Sequence, residues 1–206
     1  MRQVIVYIDG FNLYHAIDAL RKPWLKWLDV VALGNSLLRD GENLKAVKYF
    51  SAFATWMPVQ FERHRAYVDA IVSRGAIAHM GQFKEKPRRC RSCGARWIGH
   101  EEKETDVHIA VHMIADAMRD EVDRLIVISA DTDLVPAVKM IAVTRPDCEV
   151  FVAAPPGRFK NCRALQPKLE LTHGRLAKAL LPDVINLANG RAVNRPLSYA
   201  PPALIT

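Results

Sequence analysis

The sequence predicts an α/β protein built around a mainly parallel five-stranded sheet. Three observations predict it. Short aliphatic runs recur along the chain, and a parallel strand buried on both faces reads as such a run. Stretches with helical spacing separate the runs, and strands alternating with helices imply right-handed crossovers. Two of the runs stop on a carboxylate, in VIVYIDGFN (Val4–Asn12) and LIVISADTD (Leu125–Asp133).

The elements follow in order. Val4–Ile8 is the first strand, and Phe11–Leu20 has helical spacing. Val30–Leu38 reads as a second helix before the Asp40–Gly41 turn. Ala46–Ala54, β-branched and aromatic, is the second strand. Pro58–Ser73 begins with Pro and stops before Gly75, the usual asymmetry of a helix. Ala76–Phe83 is a third, weaker strand, and Lys84–His100 reads as an inserted polar loop. Thr105–Arg119 is a helix capped by Thr105, with an apolar stripe at Val107, Ala110, Val111, Ile114 and Met118. Leu125–Ser129 is the fourth strand, Leu134–Val143 a helix, and Glu149–Ala153 a fifth strand ending at Pro155–Pro156–Gly157. Arg175–Leu181 is a short helix. The predicted domain spans residues 1–182, and 183–206 reads as a loose tail rich in Pro, Asn and Ala.

At 206 residues the chain suits one sizeable domain. No apolar run reaches the ~20 residues of a membrane span, and the N-terminus is not a secretory signal. The default location is therefore cytoplasmic, with no membrane partner. Its four cysteines then read as thiols or metal ligands. The net charge of +7 is uneven: Lys84–Arg96 and Gly157–Lys178 each hold six bases and one acid. Basic margins around a cluster of acids point to an anionic ligand.

Asp9 follows the first strand, Asp131 and Asp133 follow the fourth, and Asp106 opens a helix whose dipole favours an anion. Ligands of open α/β sheets bind beyond the carboxyl ends of strands, so these four acids converge if the first and fourth strands are neighbours. Clustered carboxylates repel unless a cation or proton sits among them. An oxygen-only donor set suits Mg²⁺ or Mn²⁺, and a metal can activate water against a phosphodiester. Asn12, Ser129 and Thr132 are neutral partners able to hold a carboxylate or a water. Singly, each acid has a simpler role, as a turn residue or helix cap.

IDGFNLY (Ile8–Tyr14), EKETDV (Glu102–Val107) and ISADTDLVPAV (Ile128–Val138) together resemble the NYN domains, the LabA-like branch of the PIN-like nuclease superfamily. Trp27–Leu28–Asp29, Gly81–Lys84 with the following Cys-x-x-Cys-Gly, and the Pro155–Pro156 turn extend the resemblance. It implies a three-layer α/β/α sandwich of PIN-like fold, and metal-dependent cleavage of RNA in an acidic pocket built from Asp9, Asp106, Asp131 and Asp133, with Asn12, Ser129 and Thr132 beside them. A non-catalytic RNA-binding or scaffold module on the same fold is the alternative.

For holding substrate phosphates the candidates are Lys84, Lys86, Arg88, Arg89 and Arg91 in one segment, and Arg158, Lys160 and Arg163 in the other. Trp24, beside Lys22 and Lys26, is a candidate for stacking single-stranded bases. Cys90 and Cys93 form half a zinc knuckle. Zinc needs four ligands, so His79, His100, Cys148, Cys162, His173 or a second chain would have to complete the set. His108 and His112 share a helix face at a metal-capable spacing, but nothing like His-Glu-x-x-His surrounds them, so they read as a solvated or partly packed face. Self-association is left open.

Overall fold

A computed structural model describes residues 1–119 and 121–202. The chain runs β1 (Arg2–Asp9), α1 (Gly10–Ala19), α2 (Val30–Asn35), β2 (Glu42–Ala52), α3 (Pro58–Ser73), β3 (Ile77–Arg89) and β4 (Arg96–Lys103). Then come α4 (Thr105–Ala117), β5 (Arg124–Ile128), α5 (Val135–Thr144), β6 (Glu149–Ala154), β7 (Leu169–Glu170), α6 (His173–Ala177), β8 (Val184–Asn186) and β9 (Ala192–Asn194). The main sheet has the order β4-β3-β2-β1-β5-β6-β7. All its pairings are parallel except β3–β4.

Strand alternation places a core on each face of the sheet. Val4, Val6 and Ile8 of β1 point to the face covered by Leu13 and Ile17 of α1, Leu33 of α2 and Ile71 of α3. Ile5 and Tyr7 point to the other, covered by Ile109 and Met113 of α4 and Ile141 of α5. This two-sided burial is why the strands are apolar without interruption. After β1 the chain builds outward through β2 and β3, then returns to place β5 on β1's other side. The β1/β5 junction is therefore the switch point where ligands of such sheets bind.

The α/β class and the layering match expectation, but the sheet has seven strands rather than five. The expected polar loop at 84–100 is a hairpin: β3 continues to Arg89 and pairs antiparallel with β4, from Gln82↔Lys103 to Arg89↔Arg96. Its side chains are mostly exposed, so no apolar alternation marks it. β7 adds two residues beyond β6. The expected loose tail folds back instead. β8 and β9 pair, and Ile185, Val193 and Tyr199 are buried in the first core; residues 203–206 lie outside the described residues.

α4 also differs. Its N-cap is Glu104, in a left-handed conformation (φ 80°), and Thr105 is the first helical residue. The buried stripe is Ile109, Met113 and Ala117, whereas Val107, Val111 and Met118 are exposed. The helix carries apolar residues on two faces, and spacing alone cannot choose between them.

Gly10 opens α1 against β2. A Cβ there would lie 2.6 Å from the Tyr49 ring and 2.7 Å from the Phe50 carbonyl oxygen. The backbone oxygen cannot swing aside. We expect Gly10→Ala to cost about 1–3 kcal/mol, the scale of overpacking. A thermal melt should show a fall of several degrees; an unchanged midpoint would mean that β2 and α1 separate freely.

Candidate active site

The end of β1, the start of α4 and the turn after β5 meet in one cavity of about 570 Å³. Asp9, Asn12, Asp106 and Asp131 line it, and Arg158 and Asn161 belong to the same lining.

Asp9 is the last residue of β1 and the N-cap of α1, and its carboxylate accepts the Asn12 backbone N–H at 2.9 Å. Its other oxygen accepts the Ser129 hydroxyl at 2.8 Å. Ser129 is fully buried, and its oxygen also accepts the Asp131 N–H at 3.0 Å. The Asn12 side-chain oxygen accepts the Ala130 N–H at 3.1 Å. Asn12 and Ser129 thus lock the β1 and β5 ends together, and Asp9 is held in one orientation. Asp131 caps the short 3₁₀ turn Thr132–Leu134, accepting the Asp133 N–H at 2.9 Å.

Asp106 sits in the first turn of α4. Glu102, just upstream, accepts both the backbone N–H and the hydroxyl of Thr105, fixing how α4 enters the site. Glu102 also lines the cavity. Sequence reasoning quoted this residue in EKETDV but gave it no role; its place three positions before Thr105, in capping reach, was the available signal. Asn161 was missed as well, and nothing in its local sequence marks it.

The electrostatics are those of unneutralised acids. Burial pushes the Asp9 carboxyl up to about 6, opposed by its two hydrogen bonds and reinforced by Asp131 and Glu102. Burial pushes Asp106 up to about 7, and Asp131, Asp9, Glu102 and Asp133 all act in the same direction. Among the described residues no Lys, Arg or His side chain forms an ion pair with Asp9, Glu102, Asp106, Asp131 or Asp133. Elsewhere the protein neutralises its buried charges, as in Lys48–Asp116 and Arg124–Glu42.

The other candidates fall into place unevenly. Thr132 and Asp133 are exposed and outside the cavity lining. Of the basic residues only Arg158 lines the cavity; Lys160 and Arg163 are exposed nearby in sequence. Lys84, Lys86 and Arg88 lie on the hairpin and pair with Glu104, Glu101 and Glu101, so they are partly committed within it. Arg89 and Arg91 are exposed towards the hairpin tip. Trp24 is half-buried against the first core, with Lys22 6.0 Å from its ring centre, and does not line the acidic cavity.

Cys90 and Cys93 sit at the hairpin turn, while Cys148 and Cys162 are buried in the second core. Among the described residues no group of three His, Cys, Asp or Glu side chains is arranged to hold a metal. The zinc set therefore stays at two ligands among the described residues. His112 packs against the stacked pair Phe50 and His79, with ring centroids 5.5 and 4.2 Å away, so the packed reading of that face holds for it.

The same finding bears on the acidic cavity. Its oxygen donors match Mg²⁺ or Mn²⁺ in kind, but three carboxylates do not close on one point. Mg²⁺ keeps waters and draws on one or two carboxylates plus substrate phosphate oxygens, so it does not demand an all-protein cage. The donor set fits the ion under that condition.

No described helix is long and apolar enough to cross a membrane. The family model described as NYN domain matches residues 3–167. A curated relative, 6-hydroxy-3-succinoylpyridine 3-monooxygenase from Pseudomonas putida, is 26% identical over 225 aligned positions, covering 87% of this chain and 70% of that protein. A crystal structure of a protein of unknown function from Vibrio parahaemolyticus aligns with a TM-score of 0.54 at 20% identity, covering 87% of this chain and 96% of the other. That likeness speaks to the fold alone.

Proposed function

The chain belongs to the NYN domain family, and on that premise we propose that it is a divalent-metal-dependent ribonuclease of the cytoplasm acting on single-stranded RNA. The observation that carries this reading is the cavity at the sheet's switch point, where Asp9, Asp106 and Asp131 gather with no ion pair to any of them among the described residues. Buried like charges are stable together only when a cation or proton joins them.

Asp9, Asp106 and Asp131 would hold the ion, one or two of them directly and the rest through water. When bound, Mg²⁺ or Mn²⁺ supplies the missing positive charge and polarises a phosphoryl oxygen. The chain's own groups do the rest. Ser129 and Asn12 fix Asp9, so no reorganisation is needed as the substrate arrives. Arg158 and Asn161, which line the same cavity, would take a phosphate oxygen. Asp133, at the rim, orients rather than ligates. The exposed bases of the hairpin and of 158–163 would hold the flanking backbone, so binding should weaken steeply with salt.

Incubating the protein with single-stranded RNA and DNA oligonucleotides in Mn²⁺, Mg²⁺ or EDTA tests the activity. Cleavage of RNA that EDTA abolishes is the expected result. Binding that survives EDTA, with no turnover in any metal, would replace the nuclease by the non-catalytic RNA-binding module.

The raised carboxyls give a second test without substrate. Asp9 and Asp106 titrate above their unfolded values, at about 6 and about 7. A raised acid favours the folded state at low pH, and that contribution is lost as pH rises through the folded pKa. In EDTA at pH 8, Asp106→Asn should therefore melt higher than the parent, and the gain should shrink as pH falls towards about 5. Mg²⁺ or Mn²⁺ at pH 8 should raise the parent's Tm much more than the variant's. A parent whose melting is indifferent to metal would remove the ion from the site.

A further inference from the structure

A second cavity, of about 350 Å³, opens beside the acidic one between α1, β2 and α3, and the two share Phe11 and His15 in their linings. Its size is that of a small-molecule site. Its walls are aromatic: Tyr14, Tyr49, Tyr67 and Tyr199 all line it. Tyr49 and Tyr67 meet edge to face, with ring centroids 5.9 Å apart. On the wall Ser51 and His64 face one another, the hydroxyl 3.4 Å from Nε2. Burial and Arg63 hold His64 low, at about 4, so its ring is neutral and offers one donor and one acceptor.

Two cations reach this cavity, and they differ. Lys26 is committed to Asp18 and the Tyr14 hydroxyl. Arg63 lies 5.2 Å from the Tyr199 ring centre and 3.5 Å from the Ser198 hydroxyl, and pairs with no carboxylate among the described residues. An aromatic slot with a neutral donor–acceptor pair inside and a free guanidinium matches a planar, edge-polar ring carrying an anion.

We propose that this cavity is a base-binding subsite: it takes one nucleobase of the RNA strand, with Arg63 on that nucleotide's phosphate, while the adjoining phosphodiester lies in the acidic cavity. That the base belongs to an RNA strand rests on the ribonuclease reading; recognition of a nucleotide by this cavity does not. Stacking against tyrosines tolerates every base, and the Ser51–His64 pair supplies whatever preference exists.

Calorimetric titration of the full chain in EDTA with uridine and adenosine 5′-monophosphates, their nucleosides, and ribose 5-phosphate tests it. The monophosphates should bind, and ribose 5-phosphate should bind at least about tenfold more weakly, since it has no ring to stack. Ala54→Phe, which fills the cavity from a half-exposed position, should weaken monophosphate binding by a similar factor and raise KM for an oligoribonucleotide. Arg63→Gln should erase the advantage of monophosphate over nucleoside while leaving nucleoside binding in place. Equal binding of ribose 5-phosphate and nucleotide, or an Arg63→Gln protein that still prefers the monophosphate, overturns the assignment. The two readings fail separately. Nucleotide binding without RNA cleavage in Mn²⁺ removes the nuclease and leaves the subsite, whereas metal-dependent cleavage with no nucleotide binding removes the subsite alone.

Discussion

Asp131→Asn should leave the fold intact and lower metal-dependent RNA cleavage by on the order of 10²-fold or more, the scale of losing one preorganised group at a reacting centre. The substitution is chosen for what it preserves. The Asp131 carboxylate caps the turn after β5 through Oδ1, which accepts the Asp133 N–H at 2.9 Å, and asparagine retains that oxygen. The Asp131 N–H still donates to Ser129, so Asp9 keeps its hydroxyl partner. What disappears is one negative charge beside Asp9 and Asp106. Both carboxyls should then fall towards ordinary values, because Asp131 is among the groups that raise them. Asp9→Asn would be a poorer test: both Asp9 oxygens accept hydrogen bonds, and an amide can replace only one. A purified Asp131→Asn protein that cuts RNA at the parent's rate would show that the assigned roles are wrong.

The second large effect is on stability, at the opposite edge of the sheet. Arg124 opens β5 and Glu42 opens β2; their side chains are 1% and 2% exposed, and they meet at 2.7 Å. Arg124 also lies over the Phe151 ring at 4.3 Å. Removing one partner of a buried pair strands the other's charge, which typically costs 3–5 kcal/mol, about what many domains can barely spare. Arg124→Met should cost about that much in a denaturant titration at pH 7. One Glu42 oxygen already lacks a partner, so the stranded carboxylate would have little recourse. Adding Glu42→Gln should recover a good part of the loss, because the charge is gone. A single variant as stable as the parent would mean that water reaches this corner.

Much of this was legible in the chain. The runs at β1 and β5 announce themselves because both faces of each strand are covered, and the acids ending them fix the site's edge. The order of β1 and β5 is not written in either run; it follows from the switch in winding. The site residues that reading missed depend on contacts distant in sequence. Asn161 reaches the cavity from the segment after β6, and Glu102 acts by holding Thr105. The hairpin was misread as a loop because an arm solvated on both sides needs no apolar alternation. The tail was misread because single residues, Ile185, Val193 and Tyr199, anchor it without any periodic signal. An indole beside lysines, as at Trp24, looks alike in sequence whether it faces solvent or a core, so its distance from the acidic cavity is not legible there.

The two borders of the main sheet differ in how they end. One is β7, only two residues long. The other is β4, eight residues whose outer hydrogen-bonding groups lack a neighbouring strand. An open border of that length is a template on which further chains can polymerise. Here it is studded with charge: Glu101, Lys103 and Arg96 on β4, with Lys84, Lys86 and Arg88 just behind on β3. A second copy approaching this border would have to desolvate these charges and the ion pairs they form with one another. The arm can therefore extend from the domain without seeding aggregates, one border being guarded by brevity and the other by the water its charges hold.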